Sequence, residues 1–100
     1  MIYPTQLVYI REGHEVTFHQ FEDTVVRLLA RHRGELLLRL RPGRESKIDG
    51  SADAPYEIHI VRFDNDNDLA SYANDHDRQR VLPLKEESVR SVLLIKGNLA

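Results

Sequence analysis

The segment "EIHIVRF" (Glu57–Phe63) carries the first residue that could do chemistry, His59, with Glu57 two positions before it. In an extended chain residues two apart share a face, so this carboxylate would lie within reach of the imidazole. Imidazole titrates near neutrality and can serve as a general base or as a ligand. Tyr9 and Arg39 complete the catalytic candidates. The phenol would lie across from His59 if the first and third strands are neighbours, and could polarise a carbonyl there. Arg39 would orient a substrate. The blander alternatives are a His59 hydrogen-bonded in a dimer interface, a Tyr9 that fills space with its hydroxyl satisfied, and an Arg39 that keeps a strand soluble. Tyr72 and His76, four residues apart on one helical stripe, are the candidates for lining a ligand pocket.

Other constellations lead away from metals and nucleotides. "FDNDNDLASYAND" (Phe63–Asp75) has Asp64, Asp66 and Asp68 where a calcium loop needs its first three oxygens. However, Leu69 stands where that loop needs its glycine, and Asp75 where it needs a bidentate glutamate. The better reading is a helix start, whose free amide groups and dipole favour Asp and Asn. His14 and His19 are five apart, which misses the i,i+4 zinc spacing, and no convincing metal set surrounds them. No Ser-His-Asp order or glycine-rich nucleotide loop stands out, and no cofactor is expected.

Composition narrows the setting. The chain has 100 residues, the size of one domain, and can bury one core without staples. It contains no cysteine, hence no disulfide frame, thiolate zinc site or thiol nucleophile. Net charge is −2, which gives no general attraction to nucleic acid or to an anionic membrane. Neither a signal peptide nor an apolar run of membrane-spanning length is visible. The expectation is a cytoplasmic protein. "RHRGELLLRLRPGR" (Arg31–Arg44) gathers arginines; if Leu36, Leu38 and Leu40 face a core, Arg39 and Arg41 share the opposite face.

The elements that must position these residues follow from periodicity. "TQLVYI" (Thr5–Ile10) is a strand that ends at a turn around Gly13. From about Glu15, Phe18, Phe21, Val25, Leu28 and Leu29 recur at helical spacing; Glu22, Asp23 and Arg27 are assigned to other faces, and Gly34 is the expected stop. "ELLLRLRP" (Glu35–Pro42) is the second strand and "YEIHIVRF" (Tyr56–Phe63) the third, separated by a polar loop over Gly43–Pro55. Loops of that length are often functional or mobile. A second helix carries Leu69, Tyr72, Ala73 and His76; a short helical turn after Pro83 leads into the last strand, "RSVLLIKG" (Arg90–Gly97). The order β-α-β-β-α-β in one α+β domain spanning residues 1–100 implies a four-stranded antiparallel sheet with two helices on one face.

The strands add a constraint. "TQLVYI" and "SVLLI" are apolar on both faces, yet helices cover only one face of such a sheet. A second copy packed sheet to sheet is the simplest cover. "FHQFEDTVVRLLARHRGELLLR" (Phe18–Arg39) and "DRQRVLPLKEESVRSVLLIKG" (Asp77–Gly97) resemble the matching stretches of the domain-of-unknown-function family 1330. That family belongs to the ferredoxin-like dimeric α+β barrels, which also include antibiotic-biosynthesis-type monooxygenases and muconolactone isomerase-like enzymes. "EIHIVRFDNDND" departs from the family's pattern. The resemblance implies a homodimer joined through its sheet faces and a ligand cavity between helices and sheet, but no reaction.

Two functions fit. One is a small dimeric protein that binds a small apolar or aromatic ligand or acts in stress or catabolic metabolism. The other is a cofactor-independent monooxygenase- or isomerase-like enzyme. The enzyme reading expects a closed pocket of about 300 Å³ or more; the binding reading expects a packed interior with His59 and Arg39 engaged across the interface.

Overall fold

The computed structural model describes residues 1–97. Strand β1 (Tyr3–Ile10) runs into helix α1 (Glu15–Leu28) through a turn in which Gly13 takes a left-handed φ of 85°. A short 3₁₀ turn (Leu29–His32) closes α1, and strand β2 (Glu35–Leu40) follows. Strand β3 (Glu57–Arg62), helices α2 (Asp66–Ala73) and α3 (His76–Ser88), and strand β4 (Val89–Gly97) complete the chain. The four strands form one antiparallel sheet in the order β2-β3-β1-β4. Among the described residues no helix is long and apolar enough to cross a membrane.

Helix α1 forms because its apolar positions make one stripe, and that stripe is driven onto the sheet. Phe18, Phe21, Val25 and Leu28 are buried, as the spacing predicts. Glu22, assigned to another face, is buried with them. It stands four residues after Phe18 and three before Val25, in the middle of the stripe, so the helix must carry a carboxyl inward. The left-handed residue that ends this helical region is Arg33, with φ 57°, rather than Gly34. Gly34 is needed for space instead: a Cβ there would lie 2.6 Å from Cε1 of the buried Phe63 ring.

The second helical region departs from the expected single helix. The chain breaks at Asn74–Asp75, and Asp75 caps a new helix by accepting hydrogen bonds from the amides of Asp77 and Arg78. Pro83 lies inside α3, which runs through it to Ser88. Three helices therefore cover the sheet rather than two. A proline removes one ladder bond and biases its predecessor away from helix; here the helix accommodates both. At α2 the cap is Asn65, whose side chain accepts from the Asp68 amide, with Asp66 and Asp68 in the first turn, the helix start expected of this Asp- and Asn-rich stretch.

Strand β2 contains a register shift that decides which of its side chains face the helices. Its register against β3 shifts between Leu36, which pairs with Val61, and Leu38, which pairs with Ile60. The extra residue, Leu37, makes a bulge and reverses the alternation. Leu36 faces the helices with Val61, while Leu38 and Leu40 face the open side with Ile60 and Ile58. Arg39, opposite His59, is thereby turned under the helices. The expectation that the leucines share a core face and the arginines the outer one is corrected.

Replacing Gly34 with alanine should destabilise the fold by about 1–3 kcal/mol through overpacking against Phe63. A lowered urea midpoint with an unchanged slope is the expected result.

Candidate functional site

Glu57 opens β3 on the helix-covered side of the sheet and is 0% exposed. A carboxylate there must be matched by donors. Arg39 donates from Nε to Oε1 at 2.8 Å and from Nη2 to Oε2 at 3.2 Å, a fork that fits both oxygens. Arg41 donates to Oε2 at 2.6 Å, and Nε2 of His59 lies 2.7 Å from Oε1. Burial pushes this carboxyl up, but the hydrogen bonds from His59, Arg39 and Arg41 together outweigh it and hold its pKa at about 2. An ionised carboxylate only accepts, so Nε2 of His59 carries the proton. The other ring nitrogen, Nδ1, is left to the interior, 3.8 Å from Oε2 of Glu22.

That interior contains a cavity of about 90 Å³ between the helices and the sheet. Phe18, Phe21, Val25, Leu36 and Phe63 supply apolar wall. His59, Glu22, Gln6, Tyr72, Arg78 and Lys85 supply the polar groups. Burial raises the Glu22 pKa against the pull of His59 and Arg39. Burial also pushes the Tyr72 phenol up to about 12, and its hydroxyl donates to the Val25 carbonyl at 3.1 Å. Burial, followed by the charge of Arg78, lowers the Lys85 pKa.

Sequence-derived candidates are divided by this geometry. His59 and Arg39 meet at Glu57, all three in the same chain. Tyr72 lines the cavity. Tyr9 does not lie across from His59: Gln6 is His59's partner on β1, and Tyr9, at odd spacing from it, points to the other face. There its hydroxyl donates to the Asp53 carbonyl at 3.0 Å, while Arg90 lies over its ring. His76 is exposed at the first position of α3 and shares no helix with Tyr72, because the Asp75 cap intervenes. Glu22, Arg41, Arg78 and Lys85 were not among the candidates. Glu22 had a signal in its place within the apolar stripe of α1, and Arg41 in its sharing a strand face with Arg39.

A second cluster secures the helix break. His32 Nε2 lies 2.7 Å from Oδ2 of Asp75, and its Nδ1 2.8 Å from the Ser71 hydroxyl. Arg31 bridges Asp75 and Asp77. The His32 hydrogen bond, assisted by the cap amides and Arg31, holds Asp75 well below the usual carboxylate range. Among the described residues no group of three or more His, Cys, Asp or Glu side chains could hold a metal ion.

No protein-family model and no curated protein matches the chain. Solved structures do. A protein of unknown function from Rhodopseudomonas palustris superposes with a TM-score of 0.85 at 11% identity, over 99% of this chain and 82% of that one. A dimeric protein of unknown function and ferredoxin-like fold from Bacteroides fragilis gives 0.68 at 13% identity, over 98% and 95% of the two chains. The fold is ferredoxin-like. A dimeric ferredoxin-like protein of unknown function from Jannaschia sp. agrees, with a TM-score of 0.72 at 17% identity, over 98% of each chain. At these identities the likeness concerns the fold alone.

Replacing Glu57 with Gln should destabilise the protein by about 3–5 kcal/mol, because two arginines lose their buried anion. The pH dependence has a definite sign. Glu57 is held near 2 against an ordinary value of 4.5, so its contribution is complete above about pH 4.5 and is lost as pH falls toward 2. Chemical denaturation across that range should show a smaller acid loss in Glu57→Gln than in the parent.

Proposed function

We propose that the protein is a homodimer, joined through its open sheet faces, that binds a compact and largely apolar molecule in the helix-covered cavity of each protomer. The observation that carries this reading is the cavity itself: a mainly apolar wall into which His59 turns a ring nitrogen that Glu57 does not use. Pockets that recognise small molecules combine an apolar lining with a few convergent polar groups. At about 90 Å³ the space is smaller than the ~300 Å³ from which such pockets usually start. The occupant is therefore a very small molecule, or one admitted by a parting of the helices.

The dimer rests on the uncovered side of the sheet. Leu38, Leu40, Leu93 and Ile95 are 37–54% exposed and share that side with Ile58 and Ile60. The accessible surface is 6580 Å², above the roughly 5,800 Å² expected of a folded monomer of this mass. A second sheet is the cover that suits a flat apolar face, and two of the structural neighbours are described as dimeric. Resemblance of the first helix and the tail to the domain-of-unknown-function family 1330 supports the same assembly. A role in stress or catabolic metabolism accords with this reading.

A second reading, a cofactor-independent isomerase- or monooxygenase-like enzyme, is favoured by the Glu57–His59 pair. Glu57 fixes the tautomer and orientation of the ring, and Nδ1 could then accept a proton from a substrate in the cavity. Glu22, whose pKa is raised by burial, would donate a proton to the substrate, and the proton on Nδ1 would then pass to Glu22 Oε2, 3.8 Å away, restoring both groups.

Native mass spectrometry of freshly purified protein tests the main reading. A dimer that carries an additional small mass supports it, and a monomer overturns it. Ile60→Asp should yield monomers or insoluble protein, since a carboxylate would be buried unpaired at the centre of the interface. A soluble, unchanged dimer in sedimentation velocity would remove the sheet faces from the assembly.

A further inference from the structure

Arg78 and Lys85 stand seven residues apart on α3, two turns along one face, and both line the cavity. Among the described residues neither forms an ion pair, and Nε of Arg78 is buried without a hydrogen-bond partner. What sets Arg78 apart from the other arginines without a carboxylate partner is that its Nε is buried, whereas the partly buried Arg39 and Arg41 both reach Glu57. Buried donors are rarely left unpaired, and each such group calls for an explanation. The Arg78 guanidinium is also held in place, with its carbon 5.1 Å from the Tyr72 ring centre and 6.0 Å from that of Phe21. Ring faces attract the cation but do not accept the Nε proton in the plane of the group.

The balance of charge at the cavity points the same way. Its wall has two cations, Arg78 and Lys85, and one carboxyl, Glu22. Glu57 does not offset the pair, because Arg39, Arg41 and His59 already occupy it. We propose that the ligand of this cavity is a small monoanion, a carboxylate or an oxyanion of similar size, whose charge is taken by Arg78 and Lys85. Arg78 would offer Nε and a second N–H as a planar fork, the geometry that suits a carboxylate. Lys85 would add a point charge from the next turns of the same helix. Glu22, with a pKa raised by burial, can hold a proton and donate it to an anion oxygen instead of repelling it. The apolar remainder of the ligand would lie toward Phe18, Val25 and Leu36. This deepens the binding reading and depends on it.

Two pairs of probes separate charge from shape: butyrate against butyramide, and benzoate against benzamide, each titrated into the full-length protein with ionic strength held constant by sodium chloride. The Nε–H resonance of Arg78 and the ring resonances of His59 report binding in ¹H–¹⁵N spectra. Carboxylates should shift both saturably, and the amides should bind about tenfold more weakly or worse. Arg78→Gln should lower carboxylate affinity by about ten- to a hundredfold, the range expected for a lost charge-assisted hydrogen bond, and lower amide affinity much less, so that the acid-over-amide preference collapses. Arg78→Lys keeps the charge without the fork and should fall between; it also serves if the glutamine variant does not fold. If amides bind as tightly as acids, the anion proposal fails and the cavity reading stands. If neither class moves the cavity resonances, both fail.

Discussion

A carboxylate with no solvent exposure, Glu57, sets the terms for the rest of this molecule. Its desolvation is tolerable only because three donors converge on two oxygens. One of those donors, Arg39, comes from β2, Arg41 follows directly after its end, and His59 comes from β3 itself, so the pairing register of these strands is tied to the charge. The bulge at Leu37 is what makes it work. Without it Arg39 and Arg41 would face the open side, Leu38 and Leu40 would lie beneath the helices, and Glu57 would keep only His59 as a donor. The same bulge places Leu38 and Leu40 on the outer face, where they extend the apolar surface of β3.

The sheet thus separates two kinds of chemistry. Its outer side is a broad apolar face of Ile58, Ile60, Leu93 and Ile95 with the β2 leucines. Its inner side is mixed: Val8 and Phe63 are core, while Gln6, Glu57 and His59 bring polar groups to the same layer. An edge strand such as β4 takes part in both, since Val92 and Leu94 line the cavity while Leu93 and Ile95 point outward. The apolar character of both parities in β1 and β4 therefore corresponds to two separate surfaces, one beneath the helices and one on the open side.

Helix placement depends on a second charged cluster. Asp75 caps α3 and also receives His32 and Arg31 from the end of the first helical region. This junction fixes where α3 begins, and so which of its side chains reach the cavity. Arg78 and Lys85 arrive there by that route. His76, one residue past the cap, is directed to solvent.

The strands, the long first helix and the capped start of the second were legible in the sequence, because each is specified by periodicity and by side chains that bond their own backbone. The Glu57–His59 adjacency was legible too, since a strand places residues two apart on one face. What the tertiary structure decided was which face met which partner. A single inserted residue in β2 reversed the orientation of Arg39 and Arg41, and the register of β1 put Gln6, not Tyr9, beside His59. Glu22 was drawn inward by the apolar neighbours that surround it on α1, and Pro83 was carried within a helix that Asp75 had already started. Local pattern fixes an element and its period; its phase against a neighbour is settled by pairing and burial across the fold.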